Sequence, residues 1–185
     1  NSFNFDEIYR LADKEIEKEL EGKYLLAIGR LEETQKDFTT LIKAYSKISN
    51  EVEESLYIIG DGRHREQLEN LVKELKIEER VKILGFRTNP YPYLKRANLF
   101  VHSSKFEGLP TVIIEAMILK RMVIATDCPT GPSELLDNGK NGMLVEVGNI
   151  DKMAESMKKV LLNKEIQKDY LINTEKKLKE FDLDI

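Results

Sequence analysis

This sequence of 185 residues has one cysteine, no long apolar run and no large excess of one charge. Each of these features argues against a class of protein. The single cysteine, Cys128, cannot form an internal disulfide and has no second cysteine beside it to predict a metal site. The longest apolar stretch, at 112–119, is interrupted by Glu115 and is far shorter than the ~20 residues that span a bilayer. Without a basic segment followed by an apolar one near its start, the chain is expected to lack a signal peptide and to be cytoplasmic.

The charge balance argues against a nucleic-acid partner. With 29 basic and 33 acidic residues, the formal net charge is -4, so no broad cationic field is expected to attract a polyanion. A dinucleotide-dependent oxidoreductase is also disfavoured, because the turn after the first predicted strand reads Gly29-Arg30-Leu31-Glu32-Glu33 and lacks the glycines of a Gly-X-Gly-X-X-Gly motif. Any phosphate binding must therefore be local.

Short apolar runs alternate with amphipathic stretches, which predicts an α/β fold: a Rossmann-like parallel sheet with helices on both faces. The predicted strands are 24–29, 56–60, 81–86, 99–102, 122–126 and 143–147. The predicted helices are 37–48, 63–75, 91–96, 111–119, 132–137, 150–162 and 165–180. We interpret 23–163 as the ligand-binding domain, 1–22 as a linker and helix from a missing N-terminal domain, and 164–185 as a C-terminal helix.

Two glutamates separated by seven residues, Glu107 and Glu115, flank the predicted start of a helix. Pro110 suits a first helical turn, whose unpaired N–H groups and positive dipole end would attract a phosphate passing over Gly108. The two acids are then at most ~12 Å apart, which matches a sugar diphosphate with Glu115 on the ribose and Glu107 on the transferred sugar. An equally acceptable interpretation makes Glu107 a solvated loop acid and Glu115 a buried acid with a structural partner.

Three further positions allow more than one interpretation. The glycines of Gly60-Asp61-Gly62 favour a tight turn that also permits close approach to a ligand. Phe86, after Gly85, suits the hydrophobic core better than a ligand contact. His102 ends a predicted strand, and we expect a partly buried, hydrogen-bonding side chain rather than a catalyst.

Taken together, Glu107 and Glu115, Gly29-Arg30-Leu31 with Lys36, and Ile59-Gly60-Asp61-Gly62 resemble the C-terminal domain of a GT-B retaining glycosyltransferase of the large family four. The resemblance covers 24–162 and makes the chain one half of a GT-B fold. It implies that Arg30, Lys36 and Glu107 form the catalytic set, with Arg30 and Lys36 neutralising the donor diphosphate. The positions that it assigns to donor binding are Gly29, Gly60, Gly62, Gly85, Phe86, Gly108, Leu109, Pro110, Thr111 and Glu115.

The resemblance also implies a reaction. A sugar would pass, with retention, from a nucleotide-diphosphate donor, UDP-linked by expectation, to a glycan or lipid-linked glycan that binds the missing N-terminal domain. No cofactor or metal is expected, because cationic side chains and helix N–H groups suffice against the diphosphate. The isolated domain is expected to be inactive, and the full-length protein to associate peripherally with the inner face of the membrane. The alternative is a non-catalytic nucleotide-binding or scaffold domain of the same fold.

Four residues depart from the family pattern, and two of them, Met122 and Arg63, stand where the family usually has a proline. Asp37 stands where a glycine usually follows the lysine, which predicts a change in how closely the diphosphate approaches this loop. Lys120 replaces a glycine after the apolar helix, so a left-handed helix cap there is expected to cost about 1 kcal/mol.

Overall fold

Six short strands form one parallel sheet in the computed structural model, which describes residues 3–20 and 22–178. They are β1 (Tyr24–Ile28), β2 (Ser55–Ile59), β3 (Val81–Gly85), β4 (Leu99–His102), β5 (Val123–Thr126) and β6 (Met143–Val145). The strand order is β3-β2-β1-β4-β5-β6 and every pair is parallel. The chain thus reverses direction across the sheet between β1 and β4, and ligands bind at such a switch point in open α/β sheets.

Eight helices cover the two faces of the sheet within the described residues. They are α1 (Phe5–Ala12), α2 (Phe38–Ile48), α3 (Arg65–Glu74), α4 (Tyr91–Arg96), α5 (Thr111–Ile118), α6 (Pro132–Leu135), α7 (Ile150–Leu162) and α8 (Lys164–Leu178), with 3₁₀ turns at Lys18–Leu20 and Asp137–Gly139. None of them combines the length and apolar character needed to cross a membrane.

The inner strands β1, β2, β4 and β5 are buried on both faces, which explains their apolar runs, whereas the edge strands β3 and β6 are partly exposed. Leu25 and Ala27 face a core formed with α2, α3 and α7, while Tyr24 and Leu26 face a second core formed with α1, α4 and α5. The predicted parallel sheet with helices on both faces is therefore confirmed.

The ends of some helices differ from the predictions because backbone groups there form hydrogen bonds within turns. Helix α3 begins at Arg65 rather than at residue 63, because the N–H of His64 donates to Leu31 (3.2 Å) and that of Arg65 to Gly62 (3.1 Å). Helix α1 ends at Ala12, and Ile16, which lies beyond it, packs against the same core as Ile8 and Ala12. The predicted end of the last helix, at residue 180, falls outside the described residues.

Two of the departures from the family pattern, Asp37 and Lys120, have a structural role. Asp37 is the N-cap of α2: its carboxylate accepts hydrogen bonds from the backbone N–H (3.3 Å) and hydroxyl (2.7 Å) of Thr40. Lys120 adopts the predicted left-handed conformation (φ 56°), and the N–H of Arg121 reaches back to Ala116 (2.9 Å), as in a Schellman cap.

The backbone of Gly60 lies in close contact with the backbone of the loop after β1. Its φ is +151°, and a Cβ there would lie 1.8 Å from the Gly29 carbonyl oxygen, whereas Gly22 has nearly the same φ, +149°, and nothing within 4 Å. We predict that Gly60→Ala lowers the free energy of unfolding by about 1 to 3 kcal/mol more than the matched control Gly22→Ala. Urea titration measures both, and equal losses would contradict the predicted backbone clash.

Candidate functional site

The loops that follow β1, β2 and β3 are joined by backbone hydrogen bonds at the carboxyl edge of the sheet. The N–H of Gly29 donates to Ile59 (3.0 Å), that of Gly60 to Gly85 (3.0 Å), and that of Leu31 to Asp61 (2.9 Å). Gly60 and Gly62 permit this contact because a Cβ on either would collide with the backbone of the β1 loop. Their predicted turn role accounts for this geometry, while contact with a donor remains a prediction.

A cavity of about 530 Å³ opens between these three loops. Its lining includes the predicted residues Gly29, Arg30, Gly60 and Phe86. The core interpretation of Phe86 is wrong, because the ring is 72% exposed at the cavity wall. The path of the chain explains the difference: Gly85 has a φ of +75°, and a bulge between β2 and β3 interrupts the strand register there.

Arg30 is exposed at the cavity and makes no side-chain hydrogen bond or ion pair with any residue of 3–20 or 22–178. An unpaired guanidinium in a concave site is a ready partner for a phosphate or carboxylate.

The loops after β1 and β4 lie side by side at the switch point. Lys36 forms an isolated antiparallel bridge with Ser104, the N–H of Asp37 donates to the Ser103 carbonyl (2.7 Å), and that of Lys105 donates to Gln35 (2.8 Å). This pairing holds the side chain of Lys36 next to Glu107.

The carboxylate of Glu107 is a buried acceptor of several hydrogen bonds. Its Oε1 accepts from the Lys36 ammonium group and the Ser104 hydroxyl (2.7 Å), and lies 3.0 Å from Nε2 of His102. The side chains of Glu107 and Lys36 are only 7% and 14% exposed. The interpretation of Glu107 as a solvated loop acid is therefore wrong, and His102 is confirmed as a hydrogen-bonding residue, more deeply buried than expected.

These contacts fix the protonation states. Burial by itself raises the pKa of Glu107, but hydrogen bonds from His102, Lys36 and Ser104, together with the Lys36 charge, outweigh it and hold the pKa at about 2. Burial lowers the pKa of His102, and the Lys36 charge adds to this, against the opposing effect of Glu107. A neutral His102 can donate its Nε2–H to an ionised Glu107.

Glu115 has the opposite environment. Its carboxylate accepts one hydrogen bond, from the Tyr91 hydroxyl (3.3 Å), and no cation pairs with it in the described part of the chain. Burial raises its pKa, and the bond from Tyr91 offsets this only in part. A structural partner for Glu115, as the alternative interpretation requires, does exist, but it is the neutral phenol of Tyr91. The Glu115 carboxylate can therefore accept further hydrogen bonds.

The start of α5 differs in part from the prediction. The helix begins between the two glutamates as expected and has no side-chain cap. However, the N–H groups of Thr111 and Ile113 already donate to Leu109 and Pro110 (both 2.9 Å), so those two are engaged in the first turn. Gly108 remains open, since a Cβ there would meet nothing within 4 Å.

The loop after β5 supports this turn from the other side. The Thr130 hydroxyl donates to the Glu107 carbonyl, and a Cβ on Gly131 would lie 2.5 Å from Pro110 and 2.8 Å from the Gly108 carbonyl. Glu107 is therefore held by side chains of two neighbouring loops: Lys36, after β1, binds its carboxylate, and Thr130, after β5, binds its carbonyl.

Sequence reasoning missed Ser104 and Tyr91. Ser104, three residues before Glu107, gave a weak local signal, whereas nothing in the sequence pairs Tyr91 with Glu115, 24 residues away. No group of three or more His, Cys, Asp or Glu side chains that could hold a metal ion occurs within 3–20 and 22–178.

Comparison with known proteins gives concordant matches. The family model for group 1 glycosyl transferases matches residues 10–177. A Campylobacter jejuni relative, N-acetylgalactosamine-N,N'-diacetylbacillosaminyl-diphospho-undecaprenol 4-alpha-N-acetylgalactosaminyltransferase, is 34% identical over 181 residues, which are 97% of this chain and 49% of the relative. The chain thus spans about half the length of that protein.

Two solved structures are similar across most of the chain. A Staphylococcus aureus TarM variant, in complex with fondaparinux, alpha-GlcNAc-glycerol and UDP, is 27% identical with a TM-score of 0.78, over 90% of this chain and 35% of TarM. The C-terminal domain of the group 1 glycosyl transferase LpcC from Francisella tularensis is 23% identical with a TM-score of 0.77, over 88% of both chains, and shows the same fold.

The depressed pKa of Glu107 predicts a specific loss of stability in acid. The folded-state pKa of about 2 lies below the ordinary 4.5, so the stabilisation is present above pH 4.5 and is lost as pH falls towards 2. We predict that between pH 5 and pH 3 wild type loses about 1 to 3 kcal/mol more unfolding free energy than Glu107→Gln. Urea titrations at the two pH values measure this.

The control is Glu165→Gln, which removes a surface acid paired with the exposed Lys168. Its acid sensitivity should match that of wild type. Identical acid sensitivity in wild type and Glu107→Gln would contradict the ionised, multiply bonded state of Glu107.

Proposed function

Because the chain belongs to the group 1 glycosyltransferases, we propose that it is the donor-binding half of a family-four enzyme that transfers a sugar from a nucleotide-diphosphate donor with retention. The donor is UDP-linked, and the acceptor is a glycan or a lipid-linked glycan. One observation carries this proposal: Arg30, which has no side-chain partner among the described residues, lines the cavity, and Lys36 of the same loop pairs with Glu107. Lys36, Glu107 and Glu115 do not themselves line the cavity.

Arg30 and Lys36 supply positive charge for the diphosphate. Arg30 has no competing partner in the described residues, and Lys36 has three N–H donors, of which the bond to Glu107 uses one. Negative charge accumulates on the nucleotide diphosphate as the glycosidic bond breaks, so fixed cations stabilise the transition state more than the ground state.

Glu107 serves as an oriented acceptor for the sugar. Three donors converge on Oε1, while no described residue donates to Oε2. A carboxylate that stays ionised with one oxygen immobilised can present the other to hydroxyl groups of the transferred sugar.

Glu115 and Phe86 bind the nucleoside in this proposal. The vicinal hydroxyls of a ribose can supply the donors that the Glu115 carboxylate lacks. The exposed face of Phe86 offers a stacking surface for a base, and a cavity of about 530 Å³ has the size of a nucleotide site.

The remainder of the enzyme lies outside this half. The Campylobacter relative, whose name specifies an undecaprenol-diphosphate acceptor, supports a lipid-linked glycan substrate. We propose that the acceptor binds a preceding domain, that this half alone does not catalyse transfer, and that the full-length protein acts in the cytoplasm at the inner face of the membrane. Catalysis needs no metal in this proposal, since Arg30 and Lys36 compensate the diphosphate.

Arg30→Ala tests the diphosphate contact. We predict that the variant binds UDP about 10- to 100-fold more weakly than wild type, because hydrogen bonds to charged groups contribute ~1.5 to 3 kcal/mol. Isothermal titration with UDP, GDP and ADP sugars, in excess EDTA, measures affinity, base preference and metal independence together.

The matched control is Arg63→Ala, since Arg63 is also an exposed arginine after a strand but pairs with Glu32 and lines a different groove. UDP affinity should not change in that variant. Wild-type binding that needs manganese would refute metal independence, and equal binding by Arg30→Ala would refute the role of Arg30.

Glu115→Gln separates a ligand-binding acid from a structural one. Burial of an unpaired carboxylate disfavours folding, and its raised pKa means that wild type loses stability as pH rises through the titration of this group. The amide removes that penalty, so we predict a free energy of unfolding about 1 kcal/mol higher at pH 7. Loss of two charged hydrogen bonds to a ribose should weaken UDP binding about tenfold or more.

Thermal unfolding and titration on the same variant give both numbers, with Glu165→Gln as the control that should alter neither. A less stable Glu115→Gln variant with unchanged UDP affinity would support the structural interpretation instead.

A further inference from the structure

The end of α1 and the segment between α1 and β1 are attached to the loop that forms one wall of the cavity. Asn89 donates from its side-chain amide to the Leu11 carbonyl (2.9 Å). Arg87 donates from Nη2 to Oε1 of Glu17 (3.1 Å), and the Tyr93 hydroxyl donates to Oε2 of the same carboxylate. Glu17 thus binds two side chains on either side of the turn that leads into α4.

Arg87 occupies the centre of this arrangement. Its Nη1 donates to the Leu84 carbonyl (2.6 Å), its Nε donates to the Tyr93 hydroxyl (3.2 Å), and its guanidinium lies 5.9 Å from the centre of the Tyr93 ring. The bond from Tyr93, with Arg87 contributing, lowers the pKa of Glu17. Glu17 is the acid that pairs with Arg87 in the described part of the chain.

The same loop lines the cavity through Phe86, Arg87, Thr88 and Pro90. Phe86 is exposed and has little packing of its own, so the position of its ring is set by the backbone beneath it. Two side chains of this loop form hydrogen bonds with residues that precede β1: Arg87 with Glu17, and Asn89 with Leu11.

We propose that Glu17 is a positioning residue for nucleoside recognition: by holding Arg87 and Tyr93 it fixes the 86–90 loop, and with it the wall against which the base lies. This inference rests on the proposed function, because it concerns the nucleoside end of the donor site. It assigns a role in donor selection to a segment that precedes the sheet and contributes no residue to the cavity lining.

The chain contains a matched control. Asp13 lies on the same segment and forms an exposed ion pair with Lys95 of α4, and neither residue lines the cavity. Asp13→Asn removes an attachment of the segment without touching Arg87, whereas Glu17→Gln keeps the side-chain shape and removes the charge that holds Arg87.

The experiment measures UDP and pyrophosphate affinities by titration for wild type, Glu17→Gln and Asp13→Asn. We expect Glu17→Gln to weaken UDP binding about three- to tenfold with pyrophosphate binding unchanged, and Asp13→Asn to change neither. In an Arg87→Ala background the effect of Glu17→Gln should be smaller, since only Tyr93 remains as its partner. Amide hydrogen exchange of 86–90 should also accelerate in Glu17→Gln and not in Asp13→Asn.

The failures are distinguishable. If wild type binds no nucleoside diphosphate, the proposed function falls and this inference falls with it. If wild type binds UDP and Glu17→Gln binds it equally well, only the positioning role is overturned. Equal weakening of UDP and pyrophosphate, or an undiminished effect in the Arg87→Ala background, would also overturn it.

Discussion

The candidate site depends on one buried ion pair, that of Lys36 with Glu107. The two residues come from the loops after β1 and β4, and both side chains are largely withdrawn from water. Removing one partner of a buried pair leaves the other uncompensated, at a cost of about 3 to 5 kcal/mol. Ser104 and His102 bind the Glu107 carboxylate, and backbone pairing joins the two loops. These contacts keep the ion pair at the point where the strand order reverses direction, between β1 and β4.

The two glutamates carry the same chemical group, but their environments shift its pKa in opposite directions. Glu107 has a surplus of donors, stays ionised, and needs no ligand to be stable. Glu115 has a single phenolic donor and pays the cost of burial, so it gains most when a polyhydroxyl ligand arrives. Separated environments for paired acids are typical of functional sites.

The sequence predicted the fold well because the inner strands β1, β2, β4 and β5 are almost entirely buried and read as apolar runs. It could not predict strand order from alternation alone, and only that order puts Lys36 beside Glu107, 71 residues along the chain. Phe86 was misjudged because an aromatic residue after a strand is equally compatible with core and surface. The left-handed turn at Gly85 decides between them, and its conformation depends on backbone contact with the β2 loop.

The helix ends explain why, in the proposed function, side chains rather than helix N–H groups compensate most of the diphosphate charge. The start of α2 is closed by the chain's own acids: Asp37 caps Thr40, and Glu33 accepts from the N–H groups of Phe38 (2.9 Å) and Thr39 (3.1 Å). Carboxylates placed there already complement the helix dipole, so a phosphate would meet negative charge instead of free N–H groups. The start of α5 is partly engaged as well. In the proposed function, compensation of the donor charge therefore falls mainly on Arg30 and Lys36, and Asp37, which caps α2, is part of the reason.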